Sequence, residues 1–179
     1  MVLVDGTNCG FVTSAPSADP EATNSEGKDL AKCSRFQAPA NGTISEIGFY
    51  VEEDGAGESR TMEVGIYEDN EGEPAALLEK NTIVTDGSDN LWIKNSDFST
   101  AIVSGAYYWL AFCDEDTATK LTLNGTELGY ENRYEQNLNS LEANWDTAND
   151  STSTYSSAIY ALYTESNSDA LQDNVLYVF

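Results

Sequence analysis

From Arg60 to Tyr67 the chain changes sides at every residue: Met62, Val64 and Ile66 fall on one side, and Thr61, Glu63, Gly65 and Tyr67 on the other. A period of two puts successive side chains on opposite faces of an extended backbone, so this run predicts a strand with one face on a core. The pattern recurs along the chain, punctuated by Gly, Asn, Asp and Pro. Thr43 to Val51 places Ile47, Phe49 and Val51 on one face behind an Asn41-Gly42 turn, and Leu30 to Gln37 precedes it, ending at Ala38-Pro39. Glu68 to Pro74 predicts a turn in which Gly72 and Pro74 stop the pairing and the acids stay in water. Ala75 to Val84 then reads as a bent strand, with shorter ones at Leu91 to Ile93 and Ala101 to Val103.

Ala106 to Cys113 is different, because Tyr107, Tyr108, Trp109, Leu110, Ala111 and Phe112 are apolar at both parities. A buried helix competes for this run, but its shortness, its four aromatics and its bounds at Gly105 and Asp114 favour a central strand covered on both sides. Lys120 to Leu123 is expected to close a hairpin after Asp114-Glu115-Asp116. Tyr130 to Ser157 is polar and poorly periodic, predicting long loops with short strands or one helical turn around Leu138 to Trp145. Ala158 to Tyr163 and Asn174 to Phe179 complete the strands. There is no internal repeat and no long helical pattern. The expectation is an all-β, jelly-roll-like antiparallel β-sandwich, a single domain over 1–179, with Phe49, Val64, Ile66, Leu110 and Phe112 in its core.

Charge narrows the partners. The chain carries 31 Asp and Glu against 8 Lys and Arg, a net charge of -23. Phosphate binding needs cations to displace counterions, so nucleic acid is excluded as a partner, and the same field opposes docking on anionic membranes. No run reaches membrane-spanning length, so no membrane insertion is expected. The residues Val2 to Val4 lack the basic start and the apolar length of a secretory leader, which suggests a processed terminus or assembly inside the producing cell.

Catalytic chemistry is poorly served. The chain has no His, which removes Ser-His-Asp and Cys-His pairs, and no phosphate-binding or nucleophile-elbow glycine motif occurs. Cys9, Cys33 and Cys113 form no C-x-x-C pair. Cys33 and Cys113 fall in strand-like runs, where a buried thiol is the ordinary state and a cross-sheet disulfide the alternative. No catalytic, cofactor-binding or metal-binding residue is therefore assigned, and the expectation is a protein that is not an enzyme.

Calcium is the one cofactor the sequence leaves open. Hard cations take several oxygen ligands, and Glu52-Glu53-Asp54-Gly55, Glu68-Asp69-Asn70-Glu71, Asp86 to Asn90 and Asp114-Glu115-Asp116 concentrate them, although none has an EF-hand frame. Simple up-and-down strands would bring the loops at 52–59, 85–90 and 114–117 to the same end. The same acids equally describe a solvated surface. Trp92, Trp109, Trp145, Tyr107 and Tyr155 are candidates for stacking on a sugar, against the plainer reading that they belong to the core or its rim.

The two ends are apolar at both parities, in Val2-Leu3-Val4 and in Val175-Leu176-Tyr177-Val178-Phe179. They read as strands buried on both sides, either in the chain's own sheets or as strand-exchanging ends, 1–5 and 174–179, added to a neighbour's open sheet edge. Leu3, Val4, Val175, Leu176, Tyr177, Val178 and Phe179 are thus the candidate assembly residues.

Three segments together carry a family resemblance: Arg35-Phe36-Gln37-Ala38-Pro39 with Gly42-Thr43-Ile44; Val64-Gly65-Ile66-Tyr67-Glu68-Asp69-Asn70 with Gly72, Pro74 and Leu77-Leu78; and Ser104-Gly105 with Tyr107-Tyr108-Trp109-Leu110-Ala111-Phe112. Over roughly residues 30–115 the chain resembles a jelly-roll module recurring in phage structural proteins and microbial surface proteins. The resemblance implies display on a particle or cell surface; with the apolar ends and the lack of a catalytic constellation, the expectation is a structural protein of a virion or extracellular surface, a capsid decoration or fibre protein or a filament subunit, with copies of itself or other structural proteins of a particle as partners. It implies no catalytic residue. The alternative is a carbohydrate-binding adhesion module with glycans as partners.

Overall fold

The computed structural model describes residues 3–20, 24–25, 30–52, 61–84, 91–114, 122–123, 125–126, 131–136 and 138–166. Among these the regular elements are strands: β1 (Gly10–Val12), β2 (Asn24–Ser25), β3 (Leu30–Gln37), β4 (Gly42–Glu52), β5 (Thr61–Asn70), β6 (Glu73–Val84), β7 (Leu91–Asn95), β8 (Ala101–Ile102), β9 (Tyr107–Asp114), β10 (Thr122–Leu123), β11 (Gly125–Thr126), β12 (Asn132–Gln136), β13 (Ser151–Ser153), β14 (Ser156–Ser157) and β15 (Ile159–Glu165). One large sheet has the order β1-β15-β4-β10-β2, with β7 and β8 also on β4, a second has the order β13-β12-β3-β9-β5-β6, and β11 and β14 form a separate two-stranded ladder. All pairings are antiparallel except β1 with β15. Two such sheets packed face to face are the expected all-β sandwich.

The inner layer follows the period-two reading. Ile47, Phe49 and Val51 of β4 meet Met62, Val64 and Ile66 of β5 and Tyr108, Leu110 and Phe112 of β9, all buried in one cluster. Phe49 and Phe112 stack across it, with ring centroids 5.3 Å apart.

The other face of β9 needs a second cover, because Trp109, Ala111 and Cys113 are equally buried. They form a smaller core with Ala31 and Cys33 of β3, Tyr67 of β5, and Leu141 and Trp145. The last two come from the segment 138–150, which crosses the outer face of the six-stranded sheet as an irregular strap. No helical turn forms around Leu138 to Trp145. The strap is fixed at several points: Leu141 N donates to Glu63 Oε2 (2.6 Å), Tyr67 OH to the Glu142 carbonyl (2.8 Å), and the rings of Tyr67 and Trp145 meet edge to face at 5.5 Å. It also pairs with β6, the edge strand, through Leu77 N to the Ala143 carbonyl and Trp145 N to the Ala75 carbonyl, both 3.0 Å. Farther along β6, Asn95 Nδ2 donates to the Thr82 carbonyl at 3.0 Å. A long edge strand that would otherwise template aggregation is thereby covered from within the chain.

Three local expectations are corrected. The predicted turn at Glu68 to Pro74 is a two-residue hairpin: Asn70 pairs with Glu73, and Glu71 and Gly72 both have positive φ (54° and 96°). This mirror-image turn matches the twist of paired strands, and Gly takes its second position without strain. Pairing then resumes through Pro74, which an edge strand tolerates because it faces its missing N–H away from the ladder. Of the segment expected to close a hairpin on β9, Thr122 and Leu123 are described, and as β10 they pair with β4 and β2 in the opposite sheet. Leu3 and Val4 do not form a strand: Leu3 is buried in the main core and Val4 is 49% exposed. Asn174 to Phe179 lie outside the described residues.

Replacing Trp145 with Ala removes the largest strap side chain in the second core and is expected to cost about 3–5 kcal/mol. Urea unfolding followed by far-UV circular dichroism measures it. A cost below about 1 kcal/mol would show that the strap is peripheral to the fold.

Candidate functional site

Four of the residues within the segments of the family resemblance, Arg35, Asp69, Gly72 and Trp109, meet at one end of the six-stranded sheet. Arg35 of β3 grips Asp69 of β5 with two hydrogen bonds, Nε to Oδ1 at 2.7 Å and Nη2 to Oδ2 at 3.0 Å. Trp109 Nε1 donates to Asp69 Oδ1 (2.9 Å) and Gly72 N to Oδ2 (3.2 Å). The guanidinium lies 4.0 Å from the centre of the Tyr107 ring and also pairs with Glu131 at 2.9 Å. Burial opposes the charge on Asp69, but the bonds from Arg35, Gly72 and Trp109 outweigh it and hold the carboxyl below its usual range. Asp69 is thus fully occupied in tying the β5–β6 turn to β3 and β9.

The remaining described ion pairs work the same way. Lys80 joins Glu63, Lys94 joins Glu46, and Arg133 joins Glu73 and Asp150. Among the described residues no group of three or more carboxylates and thiols is placed to hold a metal ion. The strand ends that flank the acidic loops do gather at one end, as the registers Val51 with Leu91, Thr61 with Val84 and Met62 with Asp114 show. Residues 53–60, 85–90 and 115–120, which make up most of those loops, lie outside the described residues. Cys9, Cys33 and Cys113 are buried thiols with no disulfide between them, and burial followed by the charge of Asp5 pushes the Cys9 thiol up to about 12. Such thiols are poor nucleophiles.

Of the candidate stacking aromatics, Trp109 and Trp145 belong to the second core, Tyr107 lies under Arg35, and Tyr155 stands 41% exposed by itself. Trp92 alone lines a groove. It sits on β7 beside Tyr50 of β4 and Tyr160 of β15, its ring centroid 5.4 Å from each in edge-to-face contact. The groove has a volume of about 480 Å³ and is closed on one side by Ala15, Pro16, Ser17 and Asp19 and on another by Leu91 and Lys94. Trp92 Nε1 donates to the Ala18 carbonyl (3.0 Å), which fixes the 15–19 segment over the sheet. Behind the floor, Glu46 accepts from Tyr160 OH (2.6 Å), Ser96 Oγ (2.8 Å) and Lys94 Nζ (2.9 Å). Burial disfavours its charge, yet these three donors hold the Glu46 carboxyl below its usual range. A Cβ at Gly48 would lie 2.7 Å from the Tyr160 ring, so glycine is needed for that ring to cross β4.

Tyr50 and Tyr160 were not among the sequence candidates. Parity alone would have found them: Phe49 and Val51 point inward, so Tyr50 points outward, and Tyr160 stands between the inward Ile159 and Ala161.

A second cavity, about 440 Å³, is lined by Tyr134, Glu135, Gln136, Leu138, Glu142, Asp146, Asn149 and Ser151. Glu135 is only 5% exposed and accepts from Asp146 N at 2.8 Å. Burial, with the charges of Asp146, Glu142 and Asp150, pushes its carboxyl up to about 7 against the bond from Asp146 N.

No family model matches the chain, and no curated protein matches it.

A carboxyl whose pKa is raised by folding costs stability once ionised, so the cost is absent below about pH 4.5 and fully present above about pH 7. Glu135→Gln keeps an acceptor for Asp146 N and is expected to raise stability at pH 8 by on the order of 2 kcal/mol, with the gain gone at pH 4.5. Denaturation midpoints across that range check this; a gain independent of pH would contradict it.

Proposed function

We propose that this chain is a non-enzymatic structural domain of a surface assembly, a virion decoration or fibre protein or an extracellular filament subunit, which associates with its own copies or docks on a larger particle. The observation that carries this reading is the use made of the residues behind the family resemblance. Arg35, Asp69, Gly72 and Trp109 are spent on one another, across three strands, in holding the sandwich. They are a signature of the fold, and the resemblance they carry is to structural modules.

The covered edge of β6 supports the same reading. A displayed domain must stay discrete at high local concentration, and the strap occupies the edge of β6 at Ala75 and Leu77, where another strand would otherwise pair. The net charge of -23 adds a long-range repulsion between copies. Association therefore has to be short-ranged, through apolar contact, and is favoured where salt shortens the reach of that repulsion from about 8 Å at physiological strength to about 3 Å at 1 M.

Light scattering of the full chain at micromolar concentration, in physiological and in about 1 M salt, tests this. The expected result is species larger than the monomer, growing with salt, and loss of association without unfolding when 174–179 are deleted. A strict monomer under both conditions would contradict the assembly reading.

A further inference from the structure

The groove beside Trp92 lies apart from the ion-pair network of Arg35 and Asp69 and on the outer side of the main core, to which Tyr50 belongs and against which Leu91 and Trp92 pack. At about 480 Å³ it falls within the range of small-molecule sites, roughly 300–1,000 Å³. Its chemistry is divided. The floor offers the partly exposed ring of Trp92, backed by the buried Tyr50 and Tyr160, with its polar atoms already spent: Trp92 Nε1 on the Ala18 carbonyl, Tyr160 OH on Glu46. The rim offers polar groups of both signs, Lys94 on one side and Ser17 and Asp19 on the other.

We propose that this groove binds a neutral saccharide, one pyranose ring lying on Trp92 with its hydroxyls turned to Lys94, Ser17 and Asp19. A pyranose has an apolar C–H face and a hydroxyl periphery, which is the division the groove presents. Charge decides between neutral and ionic ligands. A net charge of -23, with Asp19 at the rim and Glu46 behind the floor, disfavours phosphates, sulfates and uronates. Lys94, held at 2.9 Å from Glu46 and 49% exposed, disfavours a cation in the same space. An uncharged ligand meets neither penalty.

The site is also prepared in advance. Glu46 is fixed by three donors from β7, β15 and Ser96, and Gly48 lets the Tyr160 ring brace Trp92 from across β4. A floor that does not reorganise leaves more of the contact energy for binding. The proposal is independent of the assembly reading, since β4, β7, β15 and the 15–19 segment all belong to one chain.

The test is titration of the full chain with uncharged gluco-, manno- and galacto-configured hexasaccharides, followed by tryptophan fluorescence and by calorimetry. Oligogalacturonate and chitosan hexamers serve as the charged comparison. Trp109 and Trp145 are buried, so a ligand-dependent change in emission reports on Trp92. The expected result is saturable binding of at least one neutral hexamer, with Kd on the order of 0.1 mM. Binding weakens about tenfold or more in Trp92→Ala and is unchanged in Tyr155→Ala. Should Trp92→Ala lose its fold, Ala15→Phe blocks the groove by bulk while leaving Trp92 in place, and is expected to abolish the same binding. Absence of binding by every neutral hexamer, preference for a charged one, or affinity unaltered in Ala15→Phe would each overturn the proposal.

Discussion

Strand β9 has no side that can face water, and most of the architecture follows from that. Its even-numbered residues, Tyr108, Leu110 and Phe112, require a facing sheet, which β4 supplies with Phe49 and its neighbours. Its odd-numbered residues, Trp109, Ala111 and Cys113, require a second cover on the opposite face. A sheet with one face on the sandwich core normally turns the other to solvent. Here that is excluded, and the strap 138–150 takes the place of a third layer. Its path is set by where it can deliver Leu141 and Trp145, and in passing it closes the edge of β6.

Electrostatics works within this frame. In so acidic a chain each cation is scarce, and Arg35, Lys80, Lys94 and Arg133 each stand against a carboxylate on another strand or loop. Lys80 and Glu63 between them hold Ser140 and Leu141, the start of the strap. The cost of burial is visible at Glu135, which among Asp146, Glu142 and Asp150 keeps its proton to about neutral pH. The strap is therefore pinned by a satisfied ion pair at one end and held at the other by a carboxyl that resists ionisation.

The strands with a clear period were legible from sequence. Leu30 to Gln37 matches β3 residue for residue, and the runs at 43–51, 60–67, 106–113 and 158–163 fall within a residue or two of β4, β5, β9 and β15, except that β5 runs on to Asn70. Strand β12 was not legible, because its core residue is polar. Asn132 is buried and satisfied by Ser34 and Ser156, partners far away in the chain, so no apolar alternation marks it. Asp69 was expected in water for the same reason: the groups that compensate its burial, Arg35 and Trp109, lie 34 and 40 residues away. The strap was read as loops with short strands or one helical turn, because Leu138, Leu141 and Trp145 stand at the i, i+3, i+7 spacing of a helix face within an otherwise polar run, whereas their burial is set by the distant Tyr67 and Trp109 of the sheet they cross. The aromatic groove lay between these extremes. Trp92 was singled out from sequence, while Tyr50 and Tyr160 become candidates only once strand parity assigns them to the outer face.

If the double burial of β9 organises the fold, the strap must open only when the whole sandwich does. Native-state hydrogen exchange measures this directly at the amides of Leu77, Leu141 and Trp145, which are bonded between strap and sheet, against the amides of β9. Both sets are expected to exchange with the same opening free energy, equal to that of global unfolding. Exchange of the strap amides by an easy local opening, with β9 still protected at the global level, would contradict it.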